Sequence, residues 1–448
     1  MPSLRSRAVP GALAFAVLAA ALLALYAFVA FVLPGDANVL PHSSGIYDMD
    51  VKRVMVDLTT GKPGYRTSAH PLQKLLLAPW GAGLARVLGD PLVAAKTLAL
   101  LATWLGALAG GVLARAFTGD WRPALAATAL TGTSFAFLLA AGIPESATFA
   151  GLATPVPLLF GLARRGRPLA AGEALIWGGL AALAFGLTFT QVANVAIALA
   201  VRLWEQRGAG VRALAGRAAL AGLVAGLLAL ALGEAQARLY PGTPRFWTLD
   251  PVGAERPFVR ATAIRATPAA HTARLLLHFG VIDFAAPRPV LSDFLMRDHG
   301  IPSWSLSAEE AGWAEWRGLP LLLAAALLMA LVAAARWGRW RDPRLLAPGL
   351  CLLFHFSLHW LYGREYVIYA PHWHGLLVAV SVAALWNGER GRRGLPLASG
   401  LLAAVLLLNN LAVLRASYAE VSFGLGAERR DPRGQARAAE PGASGAQR

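Results

Sequence analysis

The sequence predicts an all-α integral membrane protein with about eleven transmembrane helices, because its apolar residues fall into runs close to the roughly 20 residues that span a bilayer. Two features of the composition agree. The 448 residues are 56% hydrophobic with a mean hydropathy of +0.52, against about 45–50% apolar residues in soluble proteins. Charged residues make up 15%, against about 25% in soluble chains.

The apolar runs follow one another with short polar breaks. They cover about 9–33, 91–116, 123–141, 147–163, 169–187, 189–203, 214–233, 318–335, 345–361, 371–387 and 395–414. The runs at 169–187 and 189–203 are separated only by "TFTQVAN" (188–194). This pair is therefore either a tight hairpin or one long helix.

The cations predict the topology. Arg5 and Arg7 precede the first run, and Arg-bearing short loops recur on the same side of the predicted bundle. These loops are 117–122, 164–168, 204–213, 336–344 and 388–394. Cytoplasmic loops are enriched in Lys and Arg, so we place them and the N-terminus in the cytoplasm of a multi-pass protein of the cell (inner, cytoplasmic) membrane. The net charge of +16 then reflects topology and attraction to anionic headgroups, not nucleic-acid binding.

The remaining loops are predicted outside, and two of them are long, about 34–90 and 234–317. They are rich in Trp, Phe and Leu, so we expect them to pack and to contain amphipathic surface helices, one of them around "HTARLLLHFGVIDF" (271–284). Residues 1–414 form one transmembrane catalytic domain. The Gly-, Ala-, Arg- and Pro-rich tail at 415–448 is predicted to be largely disordered.

Four histidines lie close together late in the chain. His355 and His359 are four residues apart in an apolar run, and His372 and His374 follow. A pair at i, i+4 can bind zinc, but no HExxH surrounds it and no third ligand is evident. We therefore assign these histidines to hydrogen bonding inside the bundle and predict no metal site. The lone cysteine, Cys351, excludes an intrachain disulfide.

The first long loop concentrates charges at the membrane edge. On a helix from about 47 to 58, Asp50, Arg53, Val54 and Asp57 would share one face. Such a row is either a solvated face with weak ion pairs, worth a few tenths of a kcal/mol each, or a functional site. His70 precedes Pro71, which predicts a helix start there; the imidazole either orients an acid or caps and packs.

A resemblance favours the functional reading. The order D-x-x-R-V-x-x-D-L-T (50–59) and Y-R-T-x-x-H-P-L (65–72) after a first membrane helix resembles the polytopic C-type (GT-C) glycosyltransferases, which use lipid-phosphate sugars. "GIPESATF" (142–149) and "YGREYVIYAPHWHG" (362–375) resemble later outside segments of that superfamily. The resemblance implies a catalytic acid in the first outside loop. Asp48 and Asp50 both qualify, and the row spacing favours Asp50.

The chemistry needed for such a transfer agrees with the residues present. A carboxylate, Asp50 or Asp48, deprotonates the acceptor hydroxyl, and cations neutralise the phosphate leaving group. Glu145 either holds an acceptor hydroxyl or caps a helix. The substrate-binding candidates are Asp57, Arg53, Arg66, His70, Glu145, Arg364, Glu365 and His372.

We therefore predict a membrane glycosyltransferase that moves a hexosyl or pentosyl group from a polyprenyl-phosphate donor to a glycan, lipid or protein acceptor on the outer face, with inversion expected from the resemblance. The sequence indicates no definite cofactor; Asp48-x-Asp50 could bind a divalent cation, which lipid-phosphate donors need not require. The alternatives are a transporter or flippase for a lipid or polar solute, or a non-catalytic membrane assembly protein. A transporter would carry ionisable residues at mid-membrane, whereas Glu173 and Glu234 lie near predicted helix ends.

The charge pattern predicts the outcome of a topology experiment. Reporter fusions at Arg165, in an inside loop, and at Ala263, in the second long outside loop, should report opposite sides of the membrane. Paired alkaline phosphatase and GFP fusions measure this directly. Both fusions on one side would contradict the topology.

Overall fold

The computed structural model describes residues 4–34, 51–62, 67–250, 268–286, 290–292, 303–305, 343–362, 366–386 and 389–430, and the statements below concern these residues. They are almost entirely helical. The α-helices are α1 Leu4–Ala27, α2 Val51–Thr59, α3 Gln73–Leu88, α4 Pro91–Thr118, α5 Trp121–Thr133, α6 Phe135–Gly142, α7 Ser146–Phe149, α8 Pro155–Ala163, α9 Ala171–Leu187, α10 Val192–Glu205, α11 Val211–Leu239, α12 Pro268–Leu277, α13 Pro343–Leu361, α14 His374–Trp386 and α15 Glu389–Arg430.

Shorter elements connect them. Two π-helical turns, Phe28–Val32 and His278–Ile282, extend α1 and α12. The 3₁₀ turns are Ala150–Leu152, Phe189–Gln191, Arg207–Ala209, Phe246–Thr248 and Tyr366–His372. An antiparallel strand pair, β1 Val290–Ser292 and β2 Ser303–Ser305, has Leu291 opposite Trp304. This small hairpin is absent from the all-α prediction and falls within the second long loop.

The predicted number of spans is not confirmed. Six described helices are long and apolar enough to cross a membrane, and the number rises to eight if each of two bent pairs is one span. Helices α9 and α10 have 17 and 14 residues, shorter than the roughly 20 residues of a spanning helix. Between them the 3₁₀ turn Phe189–Gln191 makes the hairpin that was one of the two predicted alternatives. The predicted run at 318–335 lies outside the described residues.

Helix α4 is the centre of the bundle. It packs against α1, α2, α3, α5, α6, α8 and α14. Its start is fixed by Asp90, whose Oδ1 accepts from the N–H groups of Leu92 (2.6 Å) and Val93 (3.2 Å), a normal N-cap. Gly111 lets α5 approach closely, because a Cβ there would meet Thr128 Oγ1 and the carbonyl oxygen of Ala124. Small residues at such helix contacts are typical of membrane bundles.

The outer helices present apolar surface. In the most apolar stretch of α4, half of the residues are buried. In α11 the buried share is only 11%, and in α1, α13 and α15 it is 28%. Exposed leucines and valines of this kind need an apolar solvent. The multi-pass membrane character predicted from the sequence is therefore supported. Helix α15 continues to Arg430, so residues 415–430 of the predicted tail are helical, and 431–448 lie outside the described residues.

A break in a span positions the second long loop. Helices α5 and α6 meet at Ser134 with a bend of 61°. Two backbone N–H groups freed by the break, those of Phe135 and Ala136, donate to the carbonyl oxygens of Phe284 and Asp283, both at 3.0 Å. The loop segment 281–286 therefore enters the bundle. The stretch 271–284, predicted to be an amphipathic surface helix, is α12 followed by a π turn, and His278, Phe279 and Ile282 are buried.

Asn410 joins both sides of this break. Its Nδ2 donates to the carbonyl oxygens of Thr133 (2.9 Å) and Phe284 (2.7 Å), and the side chain is fully buried. Asn410→Ala leaves both carbonyls without that donor and should lower the free energy of unfolding by about 1–2 kcal/mol. Reversible unfolding in mixed detergent micelles measures the change.

The neighbouring residue supplies the control. Asn409 is half-buried, and its Nδ2 donates to Oδ1 of Asn410 (3.1 Å) and, over a longer distance of 3.4 Å, to the carbonyl oxygen of Ala286. Asn409→Ala should cost less than Asn410→Ala. Equal losses in the two variants would show that the break does not depend on the Asn410 contacts.

Candidate functional site

The two ends of the bundle differ in chemistry. At one end, here called the basic end, Arg165 pairs with Glu205 (3.1 Å) and buried Arg202 pairs with Glu173 (3.2 Å). A small cavity there is also lined by Arg344. The short basic loops at 164–168 and 204–213 thus lie together, as the charge pattern predicts. This network neutralises Arg202, which would be costly to bury unpaired.

The opposite end, here called the loop end, gathers segments from across the chain. It consists of residues 67–75, 145–149, 186–191 and 366–372. The N–H of Leu72 donates to Gly186 (2.8 Å) and that of Phe189 donates to Ala69 (3.1 Å). Gln236, near the end of α11, binds the segment 67–75. Its side chain donates to the carbonyl oxygen of Pro71 (2.8 Å) and accepts from the N–H of Leu75 (2.9 Å). The end is therefore built by backbone bonding between distant loops.

Helix α2 lies at this end, and its described part is Val51–Thr59; the predicted first turn at 47–50 lies outside the described residues. Its buried face is Val51, Val54 and Leu58, so Val54 packs into the core and does not join the polar row. Arg53 and Asp57 are half-buried, and each has interactions with neighbouring groups.

Lys74 ties α3 to the end of α2. Its Nζ donates to the carbonyl oxygens of Asp57 and Thr60, both at 3.1 Å, which satisfies carbonyls that a helix end leaves free. Burial lowers the pKa of Lys74, partly opposed by the charge of Asp57. The sequence pattern indicates no role for Lys74, because the contact joins two helices and has no local sequence signal.

His70 has a structural contact. Helix α3 begins at Gln73 with Leu72 as its N-cap, so the predicted start at Pro71 is wrong by two residues. The Nδ1 of His70 lies 2.8 Å from the carbonyl oxygen of Leu187 and 3.0 Å from Oγ1 of Thr188. An N–H at Nδ1 thus bonds the first loop to the end of α9.

Glu145 caps a helix, one of its two predicted roles. Its Oε1 accepts from the N–H (2.7 Å) and the hydroxyl (2.6 Å) of Ser146, and its side chain is buried. The next residues bind two other loops: Gln73 donates to the carbonyl oxygen of Ser146 (3.2 Å) and His372 Nε2 donates to that of Ala147 (3.0 Å). Glu145 and His372, two predicted site residues, are therefore brought together.

Three of the late histidines form a cluster that the sequence pattern missed. His355, His359 and His372 are buried, and one ring nitrogen from each lies within 4.8 Å of the others. The third member comes from the turn Tyr366–His372, in a different element from the i, i+4 pair. The ring of Trp373 packs beside the cluster, 4.7 Å from His359, and its Nε1 donates to buried Asp283 (3.1 Å).

Five predicted residues lie outside the described residues: Asp48, Asp50, Arg66, Arg364 and Glu365. Their sequence neighbours are placed. Val51 follows Asp50 and Tyr366 follows Glu365, and both are buried in one hydrophobic cluster with Ile143, two residues before Glu145. The three segments that resemble the GT-C pattern therefore border one part of the core.

No protein-family model matches the chain, and no curated protein matches it. Three solved structures are similar to it in fold. The apo form of the Archaeoglobus fulgidus oligosaccharyltransferase superposes with a TM-score of 0.50 at 14% sequence identity, over 90% of this chain and 56% of that one. Its complex with Zn and sulfate gives 0.49 at 14% identity, covering 90% and 53%. The archaeal oligosaccharyltransferase AglB in complex with an inhibitory peptide and a dolichol-phosphate gives 0.47 at 13%, covering 90% and 56%.

The oligosaccharyltransferase is a GT-C glycosyltransferase, so the predicted resemblance is confirmed at the level of the fold. The chain spans about half the length of these archaeal proteins. The similarity covers 90% of this chain's own length. The chain therefore shares its fold with the archaeal oligosaccharyltransferase.

Proposed function

We propose that this chain is a membrane glycosyltransferase of the GT-C type that transfers a sugar from a polyprenyl-phosphate donor to an acceptor at the loop end of the bundle, on the outer face of the membrane. The observation that carries the proposal is the meeting of the segments after α1, around Glu145 and at 366–372, each of which resembles the GT-C pattern. Fold similarity to the archaeal oligosaccharyltransferase supports the general class. The hexosyl or pentosyl nature of the sugar and inversion at its anomeric carbon belong to the proposal.

Asp50 is our first candidate for the general base, and Asp48 is the second. Asp50 directly precedes α2, whose first residue, Val51, is buried beside the loop end. A carboxylate at that point could remove the proton of an acceptor hydroxyl. Asp48-x-Asp50 could also hold a divalent cation, and carboxylate oxygens suit Mg²⁺ and Mn²⁺.

The donor needs cations and an apolar path. Arg53, half-buried on α2, and Arg364 and Arg66 are proposed to bind the phosphate, because guanidinium groups match its oxygens in a bidentate way. Asp57, His70, Glu365 and His372 are proposed to border the substrates. Exposed apolar residues on α1, among them Val32 and Phe31 near its loop end, offer a surface for a polyprenyl chain.

The transporter alternative has weaker support. Among the described spans, buried charges lie near helix ends: Lys96 is in the second turn of α4, Glu173 in the first turn of α9 and Arg202 in the last turn of α10. Asp283 is also buried, but its Oδ2 accepts from Trp373 and its carbonyl oxygen accepts from Ala136 at the helix break. These contacts give Asp283 a structural role.

A substitution that removes proton acceptance alone tests the base. Asn keeps the size and most of the hydrogen bonding of Asp but does not take up a proton. Asp50→Asn should therefore keep the fold and lower transfer by roughly 10²–10⁴-fold, the usual contribution of a general base. Asp48→Asn should do less. The measurement is sugar transfer in liposomes from a panel of polyprenyl-phosphate hexoses and pentoses.

Asp120→Asn is the matched control. Asp120 caps α5 through the N–H of Arg122 (3.0 Å), at the other end of the span from the loop end, so the same chemical change should leave transfer intact. Loss of activity in Asp48→Asn with full activity in Asp50→Asn would move the base within the loop. Full activity in both would remove the loop from catalysis.

The phosphate contacts give a second test. Arg53→Ala and Arg364→Ala should weaken binding of a photoreactive polyprenyl phosphate, while the protein still inserts and elutes as the wild type does. Arg→Lys should restore binding only in part, because the fork geometry is lost. Unchanged labelling in both Ala variants would take these residues out of the donor site.

A further inference from the structure

The three clustered histidines are buried together inside the bundle. The exposed fractions of His355, His359 and His372 are 0%, 1% and 4%. His355 and His359 lie on one face of α13, and His372 ends the turn that precedes α14. One ring nitrogen of each histidine lies within 4.8 Å of one ring nitrogen of each of the other two.

Hydrogen bonds select the nitrogen that each ring has available. His372 Nε2 lies 3.0 Å from the carbonyl oxygen of Ala147, which can only accept, so Nε2 carries the proton and Nδ1 keeps its lone pair. His359 Nδ1 faces the carbonyl oxygen of Tyr362 at 3.3 Å, which leaves the lone pair on Nε2. That Nε2 is buried without a hydrogen-bond partner.

His355 follows the same pattern. Its Nε2 contacts the side-chain amide of Asn194 (3.1 Å) and the hydroxyl of Thr154 (3.4 Å), and its Nδ1 is buried without a partner. Asn194 Oδ1 and Gln191 Nε2 also have no partner. Turning both amides by 180° lets Asn194 Oδ1 accept from Gln191 and from His355 Nε2, and leaves the lone pair of His355 on Nδ1.

Each ring is thus held through one nitrogen by a protein group while the other nitrogen is left for a ligand. Metal-binding histidines are oriented in this way, by donation of the second ring N–H to a carbonyl or other acceptor. An unpartnered buried nitrogen is not sufficient alone, since both ring nitrogens of buried His374 also have no partner. The proximity of three such rings distinguishes the cluster from His374.

We propose that His355, His359 and His372 form a three-histidine site for a divalent transition metal, with zinc as the best match. Neutral imidazole suits zinc, and three protein ligands leave a fourth tetrahedral position for a water or hydroxide. Its three ligands are different residues from the proposed Asp48-x-Asp50 pair, and the proposal does not depend on the transferase activity.

The geometry requires a small closure. Zn–N bonds of about 2.0–2.1 Å put tetrahedral ligand nitrogens about 3.4 Å apart, so the rings move together by about 1 Å or slightly more on binding. Metal ligation would then join α13 to the turn Tyr366–His372 and, through Ala147, to the start of α7. Binding to the folded state alone stabilises it by mass action.

The test uses the full chain, purified in detergent without a polyhistidine tag. The protein is passed over a chelating resin and then titrated with Zn²⁺. Inductively coupled plasma mass spectrometry should then find about one zinc per chain. Co²⁺ should give the visible absorption of a tetrahedral site, and Zn²⁺ should raise the midpoint of thermal unfolding. Failure of the wild-type protein to hold zinc and to develop the cobalt spectrum would overturn the proposal without any variant.

Variants locate the metal. His359→Gln and His372→Gln should each weaken zinc binding at least about 100-fold, since even residues that only orient a metal ligand contribute 10–100-fold. His374→Gln is the matched control, because His374 is equally buried and only two residues from His372. Thermal unfolding without metal checks that each variant folds. An equal loss of affinity in His374→Gln, or no loss in the first two, would place zinc elsewhere.

Discussion

The need to bond every backbone polar group inside a bilayer controls the form of this bundle. Water is absent from the hydrocarbon region, so a broken helix is tolerated only where protein groups replace the missing bonds. The break at Ser134 is such a place. Residues 281–286 accept from the N–H groups of Phe135 and Ala136, and Asn410 donates to carbonyls on both sides.

This constraint extends to the loop end through a short series of contacts. Asp283, whose carbonyl oxygen accepts at the break, also accepts from Trp373 through its side chain, and Phe279 stacks on the Trp373 ring at 4.3 Å. His372 precedes Trp373 and bonds to Ala147, two residues after Glu145. The hydrogen bonds that replace those lost at the helix break thus help to fix the position of the turn Tyr366–His372 and of the cap at α7.

Local sequence patterns predicted most of the helices and some of the site residues. Ten of the eleven apolar runs correspond to described helices or helix pairs, because length and hydropathy are properties of single segments. The number of spans was not predictable in this way, since α9 and α10 are apolar but short. Trp373 is fully buried, although a tryptophan near a predicted loop is usually an interfacial anchor; its partner Asp283 lies 90 positions away and leaves no local trace.

The residues of the candidate site also divide into those with a local sequence signal and those without one. Glu145 was identified because a carboxylate before a helix is a local signal, and the i, i+4 spacing of His355 and His359 is another. The third histidine was recorded only as a substrate candidate, because nothing in the sequence indicates that the turn Tyr366–His372 folds back on α13. The position of His372 depends on its bond to Ala147 and on the bond of the adjacent Trp373 to Asp283, and both bonds join segments distant in the chain.

The histidine cluster and the proposed phosphate site are also linked by the chain itself. Arg364 and Glu365 lie in sequence between His359 and His372, and the two histidines are held near each other in space. Fixing both ends of a short segment removes much of its conformational freedom. A metal on the cluster would therefore restrict the chain segment that carries Arg364. If Arg364 binds the donor phosphate, the entropy lost on binding would be reduced in advance, which is the physical basis of preorganisation. Metal binding and donor affinity would then be coupled even though the two sites share no ligand.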